Sequence, residues 1–143
     1  MDAMKPSQLV RIILFCIATL LPAVSSAQST ILVFGDSLSA GYGIARDAAW
    51  PSLLQAELQR THPHYKVVNA SISGETTSGG IQRLPATLKE HRPNIVIIEL
   101  GANDGLRGTR LDLMEKNLNG LIQQSKKAGA KVLLLGMQLP PNY

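Results

Sequence analysis

Apolar residues fall along this chain in short runs, and the runs alternate with segments of helical spacing. Ile31-Leu-Val-Phe34 stands just ahead of Gly35, the pattern of a strand covered on both faces. Tyr65-Lys-Val-Val68, Ile95-Val-Ile-Ile98 and Val132-Leu-Leu-Leu135 repeat it. Between the first two runs, Ala48 to Arg60 sets Trp50, Leu53, Leu54 and Leu58 on one helical stripe, with Pro51 tolerated in the first turn. Thr77 to His91 carries Ile81, Leu84 and Leu88. Pro85 predicts a bend or a later start there, because proline has no N–H to give and crowds the preceding turn. Leu111 to Ala128 aligns Leu111, Met114, Leu118, Leu121 and Ile122, with Gly129 as a helix stop. The order β-α-β-α-β-α-β predicts an α/β fold with a parallel sheet, helices on both faces and right-handed crossovers. In such sheets ligands bind beyond the carboxyl ends of the strands, so the chemistry is expected in the loops that follow them.

The first residues have a different character. Lys5 and Arg11 precede the apolar run Ile12 to Leu21, and Pro22 and Val24-Ser-Ser-Ala27 follow. This is the basic, apolar and small-residue sequence of a secretory signal. The run is shorter than the roughly 20 residues that cross a bilayer, so residues 1–27 are expected to be a signal peptide, with the domain at 28–143. A retained anchor is the alternative. Cleavage after Ala27 would remove Cys16, the one cysteine of the chain, as suits an oxidising compartment.

Composition narrows the field further. At 45% hydrophobic and 17% charged, the chain has enough apolar material for a core. The net charge is +4, but no basic run exceeds Lys126-Lys127, which argues against nucleic acid as a partner. No Cys/His cluster has zinc-like spacing, and neither a phosphate-binding loop with its lysine nor a complete dinucleotide glycine loop is present. No metal or cofactor is expected.

The post-strand loops hold the candidate chemistry. After the first strand comes Gly35-Asp36-Ser37-Leu38-Ser39-Ala40-Gly41, where Ser37 is either a nucleophile lifted out of the sheet or an ordinary turn serine. After the second comes Asn69-Ala-Ser-Ile-Ser-Gly74-Glu75-Thr-Thr77, where Gly74 either brings an N–H close to a ligand or only permits a turn. After the third comes Gly101-Ala-Asn103-Asp104-Gly-Leu106-Arg107-Gly108, where Asn103 either donates its amide to an anion or caps the loop. A hydroxyl, a backbone N–H and an amide on one edge are the ingredients of acyl transfer: a nucleophile and donors for developing negative charge.

These blocks resemble the GDSL, or SGNH, hydrolase family. Gly-Asp-Ser-Leu at 35–38 looks like its first block, Gly74 its second and Gly101-Ala-Asn103-Asp104 its third. Ser37-Leu-Ser-Ala-Gly-Tyr42, Asn103-Asp-Gly-Leu-Arg-Gly108 and Leu139-Pro-Pro-Asn-Tyr143 are similar to a branch of secreted bacterial thioesterases, arylesterases and lysophospholipases. The resemblance runs from Ile31 to Tyr143. It implies a flavodoxin-like three-layer α/β/α fold and acyl ester, thioester or lysophospholipid substrates. It also implies a bacterial periplasmic location and a monomer when the protein is complete. In this reading Ser37 is the nucleophile, and its N–H, the Gly74 N–H and the Asn103 amide form the oxyanion hole. Asp36 supports the nucleophile loop, and Asp104, Leu106 and Arg107 belong to the substrate loop.

The family's fourth block, an Asp-x-x-His that supplies the general base, has no counterpart: no aspartate of the chain is followed three positions later by histidine. His62 and His64 precede the second strand and His91 the third, which places all three at the amino edge, opposite Ser37. The expectation is therefore a domain cut short after about four strands, inactive or nearly so for lack of the triad Asp and His. The alternatives are a carbohydrate O-deacetylase on the same fold, a non-catalytic binding remnant and a flavodoxin-like domain for another ligand.

Overall fold

The computed structural model describes residues 28–137. The expected signal segment and the Leu139 to Tyr143 run lie outside them. Four strands, β1 (Ser29–Gly35), β2 (Tyr65–Asn69), β3 (Ile95–Glu99) and β4 (Lys131–Leu134), form one parallel sheet in the order β2-β1-β3-β4. The helices are α1 (Ser37–Ala40), α2 (Trp50–Thr61), α3 (Thr77–His91), α4 (Ala102–Leu106) and α5 (Leu111–Lys127), with a 3-10 turn at Arg46–Ala48.

The strand order follows from which strands are apolar on both sides. β1 and β3 are almost wholly buried and sit in the middle. Leu32, Phe34, Val96 and Ile98 face one layer, where they pack with Leu84 and Leu88 of α3 and Leu121 of α5. Ile31, Val33 and Ile97 face the other, against Trp50, Leu54 and Leu58 of α2. The sheet is thus sandwiched between α2 on one side and α3 with α5 on the other.

Two expectations need correction. The β2 run is not covered on both faces: it is one edge of the sheet. Among the described residues β4 is the other edge, with Leu133 and Leu134 51% and 41% exposed. An apolar run of four fits an edge strand as well as a central one, because run length does not report the number of neighbours. Pro85 neither delays nor ends α3, which runs unbroken from Thr77 to His91. The carbonyl that a residue at position 85 would normally engage belongs to Ile81, and it instead accepts the Gln124 side-chain amide from α5 at 3.4 Å. A neighbouring helix therefore takes up part of what the proline leaves unmade.

The chain leaves β1 in one direction to reach β2, then crosses back past β1 to β3 and on to β4. The order reverses between β1 and β3, where the loops after those strands part and leave a crevice at the carboxyl edge.

Candidate functional site

Ser37 stands at that crevice. Gly35 ends β1, Asp36 caps the one-turn helix α1, and Ser37 is its first residue. The cap is local chemistry: Asp36 Oδ1 accepts the Leu38 N–H at 3.0 Å, replacing a bond that the first turn of a helix cannot make for itself. The turn closes at Gly41, whose φ of 76° is left-handed and so favours glycine.

The other two loops are tied to this one. Asp36 Oδ2 accepts the Asn103 amide at 3.1 Å, and the same nitrogen donates to the Glu75 carbonyl at 3.0 Å. One side chain from the β3 loop thereby joins the β1 loop to the β2 loop. Both hydrogens of the amide are engaged, so donation to a ligand requires exchange of one of these bonds. Arg107 also reaches across, giving Nη2 to the Gly74 carbonyl at 3.1 Å. Gly74 lies at φ 80° in an exposed turn closed by the Glu75 N–H on the Ile72 carbonyl at 3.1 Å. Among the described residues neither the Ser37 nor the Gly74 N–H has a backbone acceptor. Leu106 is exposed beside this edge.

Asp104 does different work from Asn103. It is 1% exposed, its Oδ2 accepts the Thr77 N–H at 2.8 Å, and its Oδ1 accepts the Thr77 hydroxyl at 2.6 Å. Asn117 of α5 donates to that hydroxyl at 3.2 Å. The group clamps the start of α3 to α4 and α5, behind the site and away from solvent.

Several residues that hold the site were not picked out from the sequence. Glu75 pairs with Arg83 at 2.9 Å. Arg83 also donates to the Ala70 carbonyl at 2.8 Å and lies 4.0 Å over the Phe34 ring, fastening the Gly74 loop to the core under Gly35. Beneath α1, the Glu99 carboxylate accepts the Ser39 hydroxyl at 2.6 Å. Burial pushes the Glu99 carboxyl above its ordinary range, the Ser39 hydrogen bond opposes this, and the nearby Asp36 carboxylate adds to the rise. One signal was present: Ile95-Val-Ile-Ile-Glu99 is an apolar run that ends on a charge, where a buried strand has no ordinary use for one.

The histidines stay at the far edge. The His64 carbonyl accepts from Ser29 N at the start of β1, and Asn94, shortly after His91, donates to the Thr30 carbonyl. β1 has seven residues, which at about 3.3 Å each separate its two ends by roughly 20 Å. A general base acts from about 3 Å, so none of the three reaches Ser37.

Beside the β3 loop is an apolar pocket of about 210 Å³, lined among others by Leu100, Gly101, Leu111, Met114 and Leu118. Among the described residues no helix is long and apolar enough to cross a membrane.

The family model for GDSL-like lipases and acylhydrolases matches residues 33–143. The chain belongs to the GDSL-like lipase/acylhydrolase family. Within it, the chain is 51% identical over 128 residues to the esterase TesA of Pseudomonas aeruginosa, covering 90% of this chain and 64% of that protein. It is 47% identical over 129 residues to the thioesterase 1/protease 1/lysophospholipase L1 of Escherichia coli K12, covering 90% and 61%. A crystal structure of TesA superposes with a TM-score of 0.79 at 53% identity, over 80% of this chain and 64% of that one. The chain thus spans somewhat over three-fifths of the length of these relatives.

Proposed function

We propose that this GDSL-family domain is the acylating part of a serine hydrolase for carboxylic esters, thioesters or lysophospholipids, with Ser37 as nucleophile. The observation that carries the reading is the convergence of three loops at one crevice: the Ser37 hydroxyl, two N–H groups without backbone acceptors, and an amide held in place by Asp36 and Glu75. Ser37 Oγ adds to the acyl carbon, and the carbonyl oxygen takes up negative charge. The Ser37 and Gly74 N–H groups and Asn103 receive that charge, Asn103 exchanging its bond to Asp36 for one to the oxyanion. The C–O or C–S bond then breaks, the alcohol or thiol leaves with the proton, and water later cleaves the acyl-serine. Asp36 is occupied in capping α1 and orienting Asn103, which suits a supporting carboxylate and not a triad acid.

The names of the relatives favour this substrate class. Because no histidine is near Ser37, these 143 residues are expected to acylate slowly and to release the acyl group more slowly still. Loss of one triad member leaves only residual catalysis. With p-nitrophenyl butyrate, nitrophenol release should level off near one equivalent of protein, and Ser37→Ala should abolish it. An absence of Ser37-dependent release would refute the nucleophile. Sustained Ser37-dependent turnover would refute the need for a further base.

A further inference from the structure

We infer that Glu99 is a positioning residue for Ser37, holding from beneath the turn on which the nucleophile stands. The inference rests on the acyl-transfer reading above. Glu99 ends β3 in register with Gly35 of β1, and its side chain is 4% exposed. It enters the space directly behind the nucleophile loop: a Cβ at position 35 would lie 2.7 Å from both Glu99 Oε2 and Ser39 Oγ. Gly35 is therefore the condition for the carboxylate being there.

What the carboxylate does is visible in its bonds. Oε2 takes the Ser39 hydroxyl at 2.6 Å and stands 3.4 Å from the Asp36 N–H. Residues 36 and 39 flank Ser37, so one group restrains the turn on both sides of the nucleophile. Ser39 is wholly buried. Its hydroxyl accepts the Trp50 indole N–H at 3.2 Å, and its carbonyl accepts the Asn69 amide at 2.7 Å. The Ser37 N–H is aimed by this turn, and its direction relative to the Gly74 N–H sets the oxyanion geometry. Glu99 Oε1 is buried without a partner. A side chain there for packing alone would be apolar, since a buried carboxylate oxygen with no donor is unfavourable. The groups facing it are Gly35 from β1, Asp36 and Ser39 from the α1 turn, and Trp50, through Ser39, from α2. None of these is a cation, so the carboxylate is not held as half of an ion pair.

The test uses the full chain and a fluorophosphonate, which reacts by forming an Oγ–P bond at Ser37 as the P–F bond breaks, fluoride leaves and water takes the proton. Glu99→Leu is expected to slow labelling by about 10- to 100-fold, the scale of a displacement of about 1 Å at a reacting group. Glu99→Gln keeps an acceptor for Ser39 and should recover most of the rate. The advantage of the wild type over Glu99→Gln should shrink as pH falls and Glu99 takes up its proton. Labelling of Glu99→Leu at the wild-type rate, or no recovery in Glu99→Gln, would overturn the inference. Should Glu99→Leu not fold, Ser39→Ala removes the same anchor and must show the same slowing. Should wild-type Ser37 take no label, the acyl-transfer reading has failed, and amide exchange decides for Glu99. Residues 36–39 must then exchange faster in Ser39→Ala and Glu99→Leu while β3 and α3 are unchanged. Equal exchange would overturn it.

Discussion

Asn103 and Asp104 are neighbours in sequence and divide two tasks between them. Asn103 faces the crevice and joins three loops, whereas Asp104 is sealed beneath it on the Thr77 N–H and hydroxyl. Substitutions should separate the roles. Asn103→Ala is expected to slow acylation of Ser37 by about 100- to 1000-fold, read as the rate of nitrophenol release, and also to lower the thermal midpoint, because the buried Asp36 carboxylate loses its donor. Asp104→Asn turns an N–H donor toward at least one Thr77 donor and should cost about 1–3 kcal/mol in urea unfolding. Glu99 adds a pH dependence whose sign is set by its raised pKa. Between the ordinary carboxylate range and the raised value, the folded state holds a proton that the unfolded state has lost. Its contribution to stability is thus complete below the ordinary range and is lost as pH rises through the folded value. Unfolding free energies of the wild type and Glu99→Gln measured from pH 4 upward, on the order of one unit apart, should show the wild type losing ground as pH rises. Parallel curves would contradict this. The charge that steadies Ser37 is one the fold would be more stable without.

At the scale of elements, α3 is the instructive case. Its sequence carries a proline in the third turn, yet the helix continues because Gln124 of α5 covers the Ile81 carbonyl. Pro85→Ala restores the missing N–H and should stabilise the domain by about 1–2 kcal/mol, the relief of a helical proline less the entropy it takes from the unfolded chain. A lowered thermal midpoint would count against this account. Gly35→Ala has the opposite effect, since its methyl would meet Glu99 and Ser39, and loss of cooperative unfolding is expected. The long elements were legible in the sequence for definite reasons: β1 and β3 are unbroken apolar runs, and α2, α3 and α5 have helical stripes. α1 and α4 were not legible, because helices of four and five residues are too short to show a period. The three loops that meet at Ser37 could be read from their residue types. The clamps behind them, Glu99 on Ser39 and Arg83 on Glu75, could not, because each joins residues from different elements and only the folded chain brings them together.

For the whole molecule, the decisive fact is the reversal of strand order between β1 and β3, which opens the carboxyl edge where Asn103 bonds Asp36, the neighbour of Ser37. Among the described residues the same order places β4 at the margin of the sheet, with Leu133 and Leu134 exposed. If the crevice makes Ser37 an acyl acceptor, incubation with p-nitrophenyl butyrate followed by peptide mapping in a mass spectrometer should find one butyryl group per chain, located on Ser37 and lost in Ser37→Ala. An unmodified Ser37, or an acyl group spread over other residues and untouched by Ser37→Ala, would contradict it.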